Sequence, residues 1–249
     1  MAENGRLRLA TWNIKHGATS DGYSGDPKQV AEACAALQAD VLALQEVDKG
    51  QVRSGFKDMA ALAAKAAGMQ VVFRRAMWLH AGQYGNALLV RGEIDDVKTI
   101  KLRGDRRHQV QIGNQVRRLW REPRNAIVAT ARIDDHAVSV AATHLSGIQG
   151  VKQHQLSQVL GALEARPTPQ VLMGDLNMLP WMVRGYLSDD MTLPDGPPTV
   201  SMPDPIRSID HIAVNGLTIR RVDARGFPVS DHLARIVEVD WPPAGPVIS

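Results

Sequence analysis

The apolar positions of this chain fall mostly in short runs that suit strands better than helices. Leu7 to Ile14 alternates and reads as a buried strand, and Val41-Leu42-Ala43-Leu44 is a second short run of the same kind. Val71-Val72-Phe73, Ala87 to Val90 and Val171-Leu172-Met173 repeat the signature. Ala126 to Ile133 and Ala137 to Thr143 read as neighbouring strands around the turn Asp134-Asp135-His136. Ile209 to Val214, Ile219 to Val222 and Ile236 to Val239 complete the strands. Helical spacing is rarer. Asp26-Pro27 opens a helix as cap and first turn, with Val30, Cys34 and Leu37 recurring on one face. Met59 to Ala67 is an Ala-rich helix ended by Gly68, Lys152 to Ala165 is amphipathic, and Pro180 to Leu187 predicts a short helix. Lys98 to Gln115 is polar and basic and predicts a hairpin or loop, a Pro-rich loop runs to Pro205, and the tail from Pro242 to Pro246 is expected to fray. No repeat or linker interrupts the pattern. Many strands with a few helices in one unbroken core predict two packed sheets flanked by helices, in a single domain over residues 1–249.

Composition narrows the picture a little. A length of 249 residues with 44% hydrophobic and 22% charged residues supports a sizeable core and excludes disorder as the main state. Cys34 is the lone cysteine, so no internal disulfide forms and a reducing compartment is suited. No apolar signal region follows a basic start, and no run of 18 or more apolar residues occurs, so the expectation is a cytoplasmic protein without stable membrane insertion. The net charge of +3 is compatible with a polyanionic substrate and does not require one.

The chemistry sits where the apolar runs stop. They end at Trp12-Asn13, Gln45-Glu46, Thr143-His144 and Asp175-Leu176-Asn177, while Asp210-His211 and Ser230-Asp231-His232 border the late strands. One Asp or Asn at a strand end is ordinarily a turn former, and one His is ordinarily a satisfied core residue. Six such positions mixing Asn, Glu, Asp and His, all at strand ends, predict one shared pocket. Glu46, Asp175, Asp231 and the amide oxygens of Asn13 and Asn177 are hard ligands that suit Mg²⁺ or Mn²⁺, and the Cys and His spacing of a closed zinc site is absent.

The ordered series Thr11-Trp12-Asn13-Ile14, Leu44-Gln45-Glu46-Val47, Tyr84-Gly85-Asn86-Ala87-Leu88, Arg121-Glu122-Pro123-Arg124, Thr143-His144-Leu145, Gly174-Asp175-Leu176-Asn177, Ile209-Asp210-His211-Ile212 and Ser230-Asp231-His232 resembles the endonuclease/exonuclease/phosphatase superfamily. That superfamily includes DNase I, abasic-site endonucleases, sphingomyelinases and inositol polyphosphate phosphatases. The resemblance covers residues 8 to 238 and implies a four-layered α/β sandwich, two mixed sheets face to face with helices outside. It implies that Glu46 binds the metal, with Asn13 and Asp231 completing or orienting the shell. It implies that Asp175 and Asn177 position the attacking water and the scissile phosphate. His232 then stands beside the phosphate, oriented by Asp210, and His144 with Glu122 forms a second histidine–carboxylate pair. Which histidine is acid and which is base stays open.

Three further positions are expected to bind substrate: Arg53, Arg124 and Asn86. An Arg fork suits phosphate, though a solvated surface arginine is an equally good account, and Asn86 also fits a strand-entry turn. Lys98, Lys101, Arg103, Arg106, Arg107, Arg117, Arg118 and Arg121 form a basic run that reads as a phosphate-tracking patch or as a solvated loop. Trp78, Trp120 and Trp181 read as rim or core packing. The DNase branch carries a groove-reaching arginine close behind its metal glutamate, where this chain has Val47-Asp48-Lys49. The leading expectation is a metal-dependent phosphodiesterase acting on nucleic acid. A phosphatase or phosphodiesterase on a small or lipid-derived phosphate ester is the alternative, a non-catalytic scaffold the weakest reading, and no protein partner is predicted.

Overall fold

The computed structural model describes residues 5–18, 22, 24–102, 109–112, 115–118 and 122–242, with 109–112 and 115–118 as backbone only. The sheets follow from the alternation in the sequence. One sheet has six strands in the order β12-β13-β1-β2-β4-β3, formed by β1 (Arg6–Asn13), β2 (Val41–Lys49), β3 (Gln70–Leu79), β4 (Gly82–Val90), β12 (Thr218–Arg225) and β13 (Ala234–Asp240). The other has five in the order β11-β10-β9-β8-β5, from β5 (Glu93–Leu102), β8 (Arg124–Ile133), β9 (His136–His144), β10 (Gln170–Asp175) and β11 (Asp210–Asn215). A small hairpin, β6 (Gln109–Ile112) and β7 (Gln115–Arg118), stands apart. Each large sheet is mixed, because β1 runs parallel to β2 and β9 runs parallel to β10 while the other pairs are antiparallel.

Successive side chains of a strand point to opposite faces, so each strand contributes to two layers. In β1, Leu7 and Leu9 join Val41, Leu88, Ile127, Val140, Met173 and Val214 in a core between the sheets. Ala10 and Trp12 face the other way, onto α1 (Pro27–Leu37) and α2 (Met59–Ala67). On the far side, Val128, Ala141 and Leu172 meet Leu156, Val159, Leu160 and Leu163 of α3 (Val151–Glu164) and Val183 of α4 (Pro180–Arg184). The result is the expected four-layered α/β sandwich. Asp26 caps α1, its Oδ1 accepting from the backbone N–H of Lys28 and Gln29 at 3.0 Å each. Asp58 caps α2 by accepting from Ala61 N–H at 3.0 Å, and Gly68 ends it in the left-handed conformation.

The sequence expectation differs from the structure in one element. Lys98 to Leu102, expected in a loop or hairpin, belongs to β5, and the hairpin itself begins only at Gln109. β5 is the edge strand of its sheet and its side chains are largely exposed or half-buried, so no apolar alternation marks it. Arg103, Arg106, Arg107, Trp120 and Arg121 lie outside the described residues, as does the tail beyond Pro242.

Candidate functional site

The candidate site is where the rows of the inter-sheet core turn polar. Counting in twos along β1 from Leu7 and Leu9 reaches Thr11 and Asn13, and along β9 from Val138, Val140 and Ala142 reaches His144. The same parity takes β10 from Val171 and Met173 to Asp175, and β11 back from Val214 and Ile212 to Asp210. Pairing then sets them side by side, because Asp175 is in register with His144 on one side and with Asp210 on the other. This packing depends on Gly174, whose φ of +149° lets β10 press against β9. A Cβ there would stand 1.9 Å from the Thr143 carbonyl oxygen.

Backbone irregularities aim the remaining groups. Glu46 has φ +59° and lies where the β2–β4 register shifts between Leu44 and Val47, a bulge that turns its side chain out of the strand's alternation. Asn177 (φ +52°) and Ser230 (φ +76°) also adopt the left-handed conformation. Such residues concentrate where surroundings over-determine them. Ser230 earns its conformation twice over: its hydroxyl donates to the Asn13 carbonyl at 2.6 Å and accepts the His232 N–H at 3.0 Å, tying β1 to the strand-end loop of β13.

The side chains form one connected network. Asn13 Nδ2 donates to Glu46 Oε1 at 2.9 Å and to Asp175 Oδ2 at 3.1 Å, while its oxygen accepts the Lys15 N–H at 3.0 Å. Asn13 thus holds two carboxylates together through its N–H groups, with its oxygen engaged by the main chain. Asp231 receives the Lys15 ammonium at 2.7 Å. Asp175 Oδ1 accepts the Asn177 N–H at 2.9 Å, and Asn177 Nδ2 donates to the Leu145 carbonyl at 3.0 Å. His232 Nδ1 meets Asp210 Oδ2 at 2.9 Å, the expected pair, and Thr199 donates to the same oxygen at 2.6 Å.

The other expected pair is not direct. Arg124 Nη1 stands between the partners, 2.7 Å from Glu122 Oε1 and 3.1 Å from His144 Nδ1. A guanidinium only donates, so Nδ1 is the acceptor and the neutral ring carries its proton on Nε2, 3.4 Å from Asp175 Oδ2. The physical reason is local: Arg124 is the first residue of β8, two positions after Glu122, and its largely buried side chain needs acceptors there. Arg124 is therefore a bridge to His144, not an exposed phosphate fork. Arg53 is also committed, its Nε and Nη2 gripping the fully buried Asp48 at 2.7 and 2.8 Å. Asn86 donates to the Asn125 carbonyl at 3.1 Å and to Asn125 Oδ1 at 3.0 Å, an amide contact joining the two sheets.

The charge states of the two histidines diverge. Burial and the Arg124 charge, with a smaller contribution from His232, hold His144 well below the usual range, so it is neutral. Burial also opposes charging His232, but the hydrogen bond and charge of Asp210, helped by Asp175 and Asp231, outweigh it and raise the ring to about 9. Burial and the Asp210 charge push Asp175 up to about 7. Carboxylates crowded in this way favour a cation among them. Asp175, Asp210 and His232 bring one ligand atom each within 4.8 Å of one another, and Glu46 and Asp231 border the cluster. The donor set is rich in oxygen and fits a hard divalent ion.

Sequence reasoning did not single out Lys15 or Thr199. Lys15 lies two residues past Asn13, and its nearness to the motif was the available signal. Thr199 lies in the Pro-rich loop, where nothing distinguishes it. His211, next to Asp210 in the chain, is turned to the Met178 carbonyl oxygen, 2.7 Å from its Nε2.

Solved structures share this fold at low sequence identity. An endonuclease/exonuclease/phosphatase from Beutenbergia cavernae superposes with a TM-score of 0.76 at 22% identity, over 97% of this chain and 73% of that one. The human Nocturnin catalytic domain, with a bound sulfate anion, gives 0.67 at 19% identity, over 96% and 94%. Truncated Caenorhabditis elegans TDP2 gives 0.64 at 16% identity, over 94% and 97%. No curated protein matches the chain by sequence. The model of the Endonuclease/Exonuclease/phosphatase family matches residues 10–232, a span holding every strand end that builds the pocket, and the chain belongs to that family.

Proposed function

We propose that this protein is a divalent-metal-dependent phosphodiesterase acting on nucleic acid, with Mg²⁺ or Mn²⁺ as its ion and residues 1–249 as a single catalytic domain. Members of the family are generally phosphoester hydrolases and typically need a divalent metal. The observation that carries the reading is the connected pair of imidazoles around Asp175: a neutral His144 against one of its oxygens, and an Asp210-bound His232 close enough to feel its charge. A fold retained only as a scaffold has no need to keep a network of buried, mutually repelling groups.

In this reading Glu46 would hold the ion, Asp231 would join it on giving up the Lys15 ammonium, and Asn13 fixes Glu46 relative to Asp175. The ion supplies positive charge to the phosphate oxygens when bound. Asp175 and Asn177 position the attacking water, with Asp175 taking its proton. Asp210 holds Nδ1 of His232, leaving Nε2 to donate a hydrogen bond or proton at the phosphate. Arg124 fixes the tautomer of His144, so that its Nε2–H orients Asp175. Nocturnin, which shares the fold, binds a sulfate anion, a tetrahedral oxyanion like phosphate. Nucleic acid is favoured by the basic run and by Arg53: Asp48 stands where the DNase branch has its groove arginine, yet it carries a guanidinium behind Glu46. Among the described residues no helix is long and apolar enough to cross a membrane. The lone Cys34 is buried, with its thiol pushed up to about 12 by that burial, and a cytoplasmic location fits an inert, unpaired thiol.

The test is a substrate panel. Chelated protein is offered single-stranded DNA, duplex DNA, RNA, nucleotides, inositol phosphates and bis(p-nitrophenyl) phosphate, with Mg²⁺, Mn²⁺ or Ca²⁺ restored in turn. The expected result is metal-restored cleavage of nucleic acid and of the chromogenic diester. Untouched nucleic acid with rapid turnover of a small phosphate ester overturns the substrate assignment, and turnover in the metal-free protein overturns the metal.

A further inference from the structure

The loop after His144 and the loop after Asp175 carry separate parts of the pocket, yet one helix face holds both. α3 is anchored to the five-stranded sheet by Leu156, Val159, Leu160 and Leu163. From its first two turns, Lys152 Nζ donates to the Asn177 carbonyl at 2.6 Å, and the buried Gln155 accepts the Ser146 N–H through Oε1 at 2.8 Å. Residues three apart on a helix share a face, so a single rigid surface meets both loops. Asn177 Nδ2 closes the triangle by donating to the Leu145 carbonyl at 3.0 Å. The left-handed backbone of Asn177 costs energy that something must offset, and the Lys152 ammonium sits on that residue's own carbonyl.

We propose that Lys152 and Gln155 form a positioning clamp for the pocket, with Lys152 fixing the strained Asn177 and Gln155 fixing the segment that follows His144. This assignment rests on the phosphodiesterase reading for its effect on turnover, and on geometry alone for its effect on the loops. Neither residue touches substrate. Lys152 acts through Asn177, and Gln155 through Ser146.

The experiment compares wild type with Lys152→Met, Lys152→Arg, Gln155→Leu, Asn177→Ala and the double variant Lys152→Met/Asn177→Ala. Hydrogen exchange followed by mass spectrometry needs no substrate. Lys152→Met is expected to speed exchange about tenfold or more in peptides covering residues 175–178, and Gln155→Leu to do so in 144–149, with the strands of both sheets unchanged. Lys152→Arg keeps the donor and restores protection. With bis(p-nitrophenyl) phosphate and Mn²⁺, Lys152→Met lowers kcat by about tenfold with KM nearly unchanged, and adds no further loss in the Asn177→Ala background. Unchanged exchange in residues 175–178 overturns the clamp. So does accelerated exchange throughout the protein, because that marks a general loss of stability. An additive loss in the double variant overturns the route through Asn177. Absence of turnover in wild type counts against the phosphodiesterase reading, while the exchange experiment still decides the clamp.

Discussion

His232 and His144 show how two identical side chains are driven to opposite protonation states by their neighbours. Asp210 accepts from His232 and stabilises its imidazolium, whereas Arg124 donates to His144 and disfavours its charge. His144→Ala and His232→Ala are each expected to lower turnover of a phosphodiester by about a hundredfold or more, in a protein that still folds but melts at a lower temperature, because each ring partners a buried charge. A folded His232→Ala protein with wild-type turnover removes His232 from the reaction. His211 shows a third outcome. Burial holds its pKa down at about 4, against a usual 6.5, despite the hydrogen bond to Met178 that favours its charge. The unfolded chain therefore binds a proton between pH 6.5 and 4 that the native protein does not. Stability from this residue is complete above pH 6.5 and is lost as the pH falls toward 4, by about 3 kcal/mol at most. Urea unfolding of wild type and His211→Asn across that window is the check: the variant's acid limb should be flatter, and identical slopes refute the assignment.

The helices show what local chemistry fixes. Asp26-Pro27 and the Ala-rich run ended by Gly68 are legible because a capping side chain and a left-handed glycine act on adjacent residues. Asp26→Ala is expected to cost about 1 kcal/mol of stability through loss of the α1 cap, while Asp26→Asn costs much less. Equal losses in the two variants, measured by denaturant unfolding, mean that the cap is not what Asp26 contributes. Strands were legible when both faces are buried, as in β1 and β10, and illegible at the polar edge strand β5. The strand-end positions announced the pocket because core rows that turn polar at one level stand out in sequence. Their partners did not follow so readily. Arg124 reads as a surface fork until β8 is seen to start beside His144, and Thr199 gains meaning only when its loop reaches Asp210. Asn86 shows its bond to Asn125 only when the second sheet is brought against the first.

At the scale of the whole molecule the proposed phosphodiesterase reading divides into two substrates, a polymeric nucleic acid and a small phosphate ester. A nuclease that tracks phosphates releases counterions on binding, so its affinity falls steeply with salt and shows little sequence preference. The chain's mild excess of positive charge, Arg53 behind Glu46, and Lys98 and Lys101 on the edge strand are consistent with such contacts. Bidentate pairing of Arg53 to Asp48 works the other way, because that fork is already satisfied on one edge. The two effects separate in a single design. KM and kcat on DNA are measured from low to moderate salt for wild type, for a variant with Lys98, Lys101, Arg103, Arg106 and Arg107 replaced by Gln, and for Asp48→Asn. Raising the salt is expected to raise KM for wild type while kcat changes less. The Gln variant should begin with a higher KM and respond less to salt, since fewer counterions remain to be released. Asp48→Asn keeps a partner for Arg53 but removes the neutralising charge, so an Arg53 that faces the substrate lowers KM on DNA. A KM independent of salt, together with a Gln variant indistinguishable from wild type, means that the site binds one phosphate group in isolation. The substrate is then a small ester, and the positive charges of the edge strand have no part in its recognition.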